Sequence, residues 1–171
     1  MRRLYLLRHA KSSWDDPSLD DHERPLAARG KRASKLMRRY VEDEGVAPSL
    51  VLCSTATRAQ QTLEGVQAGL PWNVEVRSSD RLYTFSREGL LRVIHGIDER
   101  VESAMVVGHN PAMQDLTLEL AGEGEGLVDV ARKFPTCTLA TLDFGCPWCE
   151  LAPGVAALAG FVRPKYLKEK A

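Results

Sequence analysis

Three short runs, "LYLLRH" (Leu4 to His9), "SLVLCS" (Ser49 to Ser54) and "SAMVVG" (Ser103 to Gly108), are apolar at nearly every position rather than at every second one. A strand with one wet face alternates apolar and polar residues, whereas a strand covered on both faces does not. Cover on both faces is the mark of parallel strands joined by crossover helices. The segments between the runs have helical spacing. From Ala33, the residues Leu36, Met37, Tyr40 and Val41 recur at i+3, i+4, i+7 and i+8, an amphipathic helix that Gly45 and Pro48 end. Ala59, Leu63, Val66 and Leu70 mark a second helix, stopped by Pro71; Leu90, Leu91, Ile94 and Ile97 mark a third; Met113, Leu116 and Leu120 mark a fourth. Further strands are expected at Val74 to Val76 and at Thr138 to Phe144. Alternation of strand and helix predicts an α/β fold with a mostly parallel central sheet and helices on both faces.

A chain of 171 residues suits one compact domain, here residues 1–171, and buries about two thirds of the surface its unfolded form exposes. Its 23 basic and 23 acidic residues cancel, and no long basic run occurs, so a nucleic-acid partner is not expected. The start, "MRRLYLLRH", holds too short an apolar stretch for a secretory signal, and nothing approaches a membrane span. Cys53, Cys137, Cys146 and Cys149 are too few for a disulfide framework. A cytoplasmic protein without membrane association is the expectation. "CPWC" (Cys146 to Cys149) has the spacing of a redox or metal pair, but it lies late in the chain with no second Cys or His pair to complete a zinc site. Its thiols are read as incidental.

The apolar runs end in reactive groups: "LYLLRH", "LVLCSTATR" and "AMVVGH". Open parallel sheets bind ligands at the carboxyl ends of their strands, so Arg8, His9, Arg58 and His109 are expected to converge there. Two cations and two imidazoles around one point suit a phosphate. "HNPAM" casts Asn110 as an N-cap and Pro111 as the first helical residue, which would turn free backbone N–H groups toward the same anion. Arg58 falls in the first turn of its helix, where the dipole disfavours a cation by about 0.3–1 kcal/mol, a cost that a bound anion would offset. His22 and His95 match no pattern and are read as surface or satisfied residues. The acidic loop from Asp15 to Glu23 fits no calcium-binding spacing and is placed at the mouth of the pocket. Arg29, Lys31, Arg32, Lys35, Arg38 and Arg39 give the first helix a basic side, read as solvated, with docking of an acidic phosphoprotein as the alternative.

"LRHAKS", "STATRAQQT" and "VGHNP", in this order and joined by "DHERPLAARG", "RLY" and "FPTCTLATLDF", resemble the histidine phosphatase superfamily over nearly the whole chain. Within it, the likeness is to the small phosphohistidine phosphatases of the SixA type. The resemblance implies a phosphoglycerate mutase-like fold and a phosphatase that uses no metal and no cofactor. His9 would be the nucleophile, transiently carrying the phosphoryl group. Arg8, Arg58 and His109 would hold the phosphate oxygens, with Asn110 beside them. In larger relatives a carboxylic acid protonates the leaving group; by position the candidate is Asp80, with Glu88 or a loop aspartate behind it. An alcohol leaves as an alkoxide with a water-like pKa near ~15.7. A phosphohistidine expels an imidazole of pKa about 6.5 and needs far less help. The expected partner is therefore a phosphorylated protein, such as one with a phosphohistidine-carrying domain, or else a small phosphate ester. Two alternatives remain: a small-molecule phosphomonoesterase of the same superfamily, and a phosphate-binding module without turnover.

Overall fold

The computed structural model describes residues 1–167. Seven strands form one sheet in the order β3-β2-β4-β1-β6-β7-β5: β1 (Arg2–Arg8), β2 (Leu50–Ser54), β3 (Glu75–Ser79), β4 (Ser103–Gly108), β5 (Ala121–Glu123), β6 (Leu139–Phe144) and β7 (Ala156–Val162). β6 alone runs against the others, pairing antiparallel with β1 and β7, so the sheet is mostly parallel as expected. The helices are α1 (Ala28–Asp43), α2 (Thr57–Gln67), α3 (Arg87–His95), α4 (Ala112–Leu120) and α5 (Leu127–Arg132). Among the described residues no helix is long and apolar enough to cross a membrane.

Strand alternation sorts the core into two layers. Leu4, Leu6, Leu52 and Val106 pack with Leu90 and Ile94 of α3 and with Met113 and Leu116 of α4. Tyr5, Leu7, Cys53 and Val107 face the other way, onto Met37 and Val41 of α1 and Ala59, Leu63 and Val66 of α2. Both faces of β1, β2 and β4 are thus dry, which is why these strands read as continuous apolar runs.

The third strand lies slightly later than expected, at Glu75–Ser79, because it is an exposed edge strand with charged residues and no apolar signature. β7 ("AALAGFV"), β5 and the six-residue α5 were not anticipated; Ala and Gly carry little strand propensity, and β5 and α5 are too short to show a period.

α1 begins five residues before Ala33, and its fully buried face is Gly30, Ser34, Met37 and Val41, not Leu36 and Tyr40. The difference comes from small residues. Gly30 lies on the backbone of Lys11, and Ser34 lies on Gly65 of α2, so that a Cβ on either glycine would stand 2.2 Å from an oxygen of its neighbour. Close helix approach, rather than side-chain apolarity, sets the rotation of α1. The helix ends as expected at Gly45, whose φ of +65° and bonds Gly45 N–H to Glu42 and Val46 N–H to Val41 form a Schellman cap. Gly30→Ala should lower stability by about 1–3 kcal/mol through overpacking and disturb the loop after His9. Urea unfolding measures the first effect, and an unchanged midpoint would contradict this account of the helix contact.

Candidate active site

The carboxyl ends of β1 and β4 lie side by side. Arg8 is in register with Gly108, and the His9 N–H donates to the Gly108 carbonyl at 2.9 Å. His9 and His109 therefore leave adjacent strand ends together, with ring centroids 5.2 Å apart. Arg58 is the second residue of α2, two residues beyond the loop that leaves β2. His9, Arg58 and His109 are 7%, 4% and 1% exposed, although each is polar. The charges of Arg8 and Arg58 act on both imidazoles. The four residues expected to meet from remote segments do meet.

His9 is fixed in one tautomer. Its Nδ1 lies 2.7 Å from the Ala10 carbonyl, which only accepts, so Nδ1 carries the proton and Nε2 keeps its lone pair. Burial pushes its pKa down to about 4, with Arg58 and Arg8 adding to the shift against the opposing Ala10 bond. His109 is lowered further, to about 3, first by burial and then by His9 and Arg58. Both rings are neutral at pH 7. His109 Nε2 is 2.8 Å from Ser54 Oγ, which also accepts from the Ala56 N–H. Among the described residues the buried Ser54 hydroxyl has no other acceptor than His109 Nε2, so its proton points there and His109 Nδ1 bears the ring proton. That Nδ1 is buried without a hydrogen-bond partner, as is Arg8 Nε, while Arg8 Nη1 donates to the Phe134 carbonyl at 2.8 Å. Two unpartnered buried donors beside a free imidazole lone pair make a receptor for an oxyanion.

Residues 4–132 match the histidine phosphatase superfamily (branch 1). The chain belongs to that superfamily. It is 37% identical to an uncharacterized protein of Mycobacterium tuberculosis over 163 residues, covering 93% of this chain and all of the relative. Identity to the phosphohistidine phosphatase SixA of Escherichia coli K12 is 32% over 122 residues, covering 69% of this chain and 73% of SixA. A crystal structure bearing the SixA name, from Agrobacterium tumefaciens, superposes with a TM-score of 0.81 at 32% identity, over 95% of this chain and 98% of the other. The phosphoglycerate mutase-like fold implied by the sequence motifs is the fold observed, and membership of the superfamily makes the chain a phosphatase by class.

In this histidine phosphatase the acidic loop supplies a residue that motif reading overlooked. Arg58 donates from Nη1 to the Asp21 carbonyl and from Nη2 to Asp21 Oδ2 at 2.9 Å. Arg24 bonds Asp21 Oδ1 at 3.0 Å, and the Tyr83 hydroxyl donates to Oδ2. Burial pushes the Asp21 carboxyl up, but these hydrogen bonds outweigh it and hold the group well below the usual carboxylate range. The anion expected to offset the dipole at Arg58 is thus already present within the protein. Arg24 is itself buried, fixed to Ser12 and Ser13, and its guanidinium lies 3.2 Å from the centre of the Trp14 ring. His22, read as a surface or satisfied residue, is satisfied but stands at the rim: Nε2 is 2.9 Å from Thr55 Oγ1, and its ring meets Tyr83, which in turn meets His109. "DHERPL" and "RLY" were the available signal for these residues, but composition alone gave them no task.

Asp80 lies in the 3-10 turn after β3 and accepts from Thr55 Oγ1. Thr55 gives its one hydroxyl proton to Asp80, so His22 donates to Thr55 from Nε2–H. Asp80 is thereby linked to the rim through a hydroxyl and an imidazole, with no direct bond to His9 or Arg8. Asn110 is not the N-cap of α4; Pro111 takes that position. Asn110 Oδ1 accepts the Gln114 N–H, which its own carbonyl would accept in a regular turn, and the helix begins one residue later. Pro111 has no N–H, and the Met113 N–H goes to the His109 carbonyl, so α4 offers fewer free N–H groups than its motif implied. Asn110 Nδ2 donates to the Phe134 carbonyl that Arg8 also uses. His95 is satisfied by the Leu151 carbonyl, and all four cysteines are unpaired. Among the described residues no group of three or more His, Cys, Asp or Glu is placed to hold a metal ion.

The lowered imidazoles couple stability to pH. Between the ordinary imidazole value of about 6.5 and the folded values near 4 and 3, the unfolded chain binds protons that the folded chain does not. Their contribution is complete above about pH 6.5 and is lost as pH falls toward the folded values, on the order of 1–3 kcal/mol per histidine. Thermal unfolding from about pH 7 to pH 4.5 should show a falling midpoint, with a shallower slope in His109→Asn. An identical slope in the variant would contradict the neutral, buried state of this ring.

Proposed function

We propose that the protein hydrolyses phosphohistidine on a protein through a covalent phospho-His9 intermediate. The observation that carries this reading is the His9 ring itself: Nδ1 tied to the Ala10 carbonyl, Nε2 free and uncharged beside two arginines. A neutral imidazole of fixed tautomer is ready to attack phosphorus. Its Nε2 forms the new N–P bond as the P–N bond to the substrate breaks, and the substrate imidazole leaves neutral with a proton from solvent. Water then attacks the phosphorus of phospho-His9, the N–P bond breaks, and inorganic phosphate departs. Arg8 Nε, Arg58 and His109 Nδ1–H hold the three non-bridging oxygens through both steps, where spread negative charge gains most from fixed donors. Asn110 keeps the Phe134 carbonyl, and with it Arg8, in place. None of the steps calls on a metal ion or a cofactor. The unpaired cysteines fit a reducing compartment, and we place the protein in the cytoplasm.

One observation favours the phosphomonoesterase reading. The His22–Thr55–Asp80 chain brings a carboxyl group to the rim, and in its protonated form that group would be the donor an alkoxide leaving group needs. Rates on a phosphohistidine protein, phosphoserine, phosphotyrosine and sugar phosphates separate the two. Phosphohistidine should be turned over fastest, with Asp80→Asn costing less than about tenfold on it and more on the esters. Faster hydrolysis of sugar phosphates would reverse the assignment.

A further inference from the structure

A groove rich in cations lies beside the segment that follows His9. Leu7 is in register with Leu139 and Leu139 with Val162, so the chain leaves β7 at the same sheet edge where β1 delivers His9. The turn after β7, the Pro135–Thr136 segment before β6 and the first half of α1 enclose a cavity of about 680 Å³. It adjoins the active site through covalent neighbours. Pro135 and Thr136 lie between Phe134, whose carbonyl accepts from Arg8, and Cys137, whose N–H donates to the His9 carbonyl at 3.0 Å. Lys11, two residues after His9, lines the cavity as well.

α1 contributes Arg29 and Arg32, the end of α5 contributes Arg132 and the following Lys133, and the last turn contributes Arg163 and Lys165. With Lys11 these are seven cations against one carboxylate, Asp129, which lies 3.7 Å from Arg163. The whole chain is balanced at 23 to 23, so this excess is local. Between the cations the surface is apolar: Ala33 and Leu36 of α1 sit opposite Pro135 and Pro164. Leu36, expected on the core side of α1, therefore lines the groove instead, and Ala33 borders both the groove and the core. Lys31 and Lys35, on the same helix, are exposed outside it.

We infer that this groove docks an acidic, amphipathic segment of the phosphoprotein whose phosphohistidine enters the His9 pocket, an inference that rests on the function proposed above. Carboxylates meet the flanking cations while apolar side chains cover Leu36 and the prolines. Nucleic acid fits less well. Single-stranded binding relies on several aromatic faces for successive bases, and among the described residues the groove lining has one, Tyr166, flanked by Arg163 and Lys165 at 4.5 and 4.9 Å from its ring centre.

Two synthetic helical peptides, each with one phosphohistidine and a leucine stripe, differ only in carrying glutamates or glutamines beside the stripe. The wild-type protein should favour the acidic peptide by about tenfold in kcat/KM, less at high salt. The ratio should collapse to about one in Arg32→Glu/Arg132→Glu and persist in Lys31→Glu/Lys35→Glu, which makes the same charge change on exposed sites outside the groove. Fluorescence anisotropy should show the unphosphorylated acidic peptide binding the wild type and not the groove variant. A wild-type ratio near one, a ratio the groove variant leaves intact, or tighter binding of a single-stranded oligonucleotide than of the acidic peptide would overturn the inference. Groove-dependent peptide binding without turnover of either phosphopeptide would leave the groove standing and remove the phosphohistidine reading.

Discussion

His9→Ala is expected to bring phosphatase turnover to the uncatalysed background, a loss on the order of 10⁴-fold or more, because the variant has no atom to accept the phosphoryl group. The fold should survive. The backbone of residue 9 bonds Gly108 and Cys137 irrespective of its side chain, and the lost ring leaves a small void beside His109. Rapid quench of the wild type with a phosphohistidine substrate should trap phosphate in an acid-labile, base-stable linkage, and the variant should trap none. The pH profile of the wild type adds a second check. Attack needs the neutral ring, so kcat/KM should fall as pH drops through about 4 and show no His9-linked loss at higher pH. Normal turnover by His9→Ala would remove the covalent mechanism, and a label that persists in it would move the nucleophile to another residue.

The parts of the molecule that sequence made legible are those where one physical demand dominates. β1, β2 and β4 are dry on both faces and had to be apolar throughout, so they were visible, and with them the strand ends that carry Arg8, His9 and His109. β3, β5 and β7 lie toward the sheet edges, where solvent relaxes that demand; β3 was seen only through Val74 and Val76 and with shifted bounds, and β5 and β7 left no pattern to read. α1 was seen, but its rotation was not, since Gly30 and Ser34 bury their face by closeness rather than by apolarity. In the site, the histidines and arginines stood out because imidazole and guanidinium after an apolar strand are unusual. Asp21, Arg24 and Tyr83 did not, because an acidic surface loop and a tyrosine have many ordinary uses; only their mutual hydrogen bonds give them a task. The basic groove was visible only in part. Arg29 and Arg32 belong to the basic side of α1 seen in the sequence, but Lys11, Arg132, Lys133, Arg163 and Lys165 come from remote segments that only the folded chain brings beside them.

Arg58→Ala should cost on the order of 10³–10⁵ in kcat, the range for a single arginine that stabilises a phosphoryl transition state. On the proposed mechanism Arg58 has two anions to serve. In the resting protein it is paired with Asp21, although it stands in the first turn of α2, where the helix dipole opposes a cation. A phosphate at His9 competes for the same guanidinium. At 4 Å and an effective dielectric of 20, each unit charge contributes about 4 kcal/mol before desolvation, so a dianion outbids a single carboxylate that Arg24 and Tyr83 continue to hold. Asp21 then acts as a keeper, orienting Arg58 until substrate arrives. Lysine at position 58 should recover only part of the loss, since an ammonium cannot reproduce the fork that bonds both the carbonyl and the carboxylate of Asp21. Steady-state kinetics on a phosphohistidine protein, with inhibition by inorganic phosphate alongside, test the division of labour. A fall in kcat together with weaker phosphate inhibition is the expected result. If Arg58→Ala instead stays within about tenfold of wild type while its thermal midpoint drops, Arg58 serves Asp21 and the loop, and the phosphoryl group is stabilised by Arg8 and His109 alone.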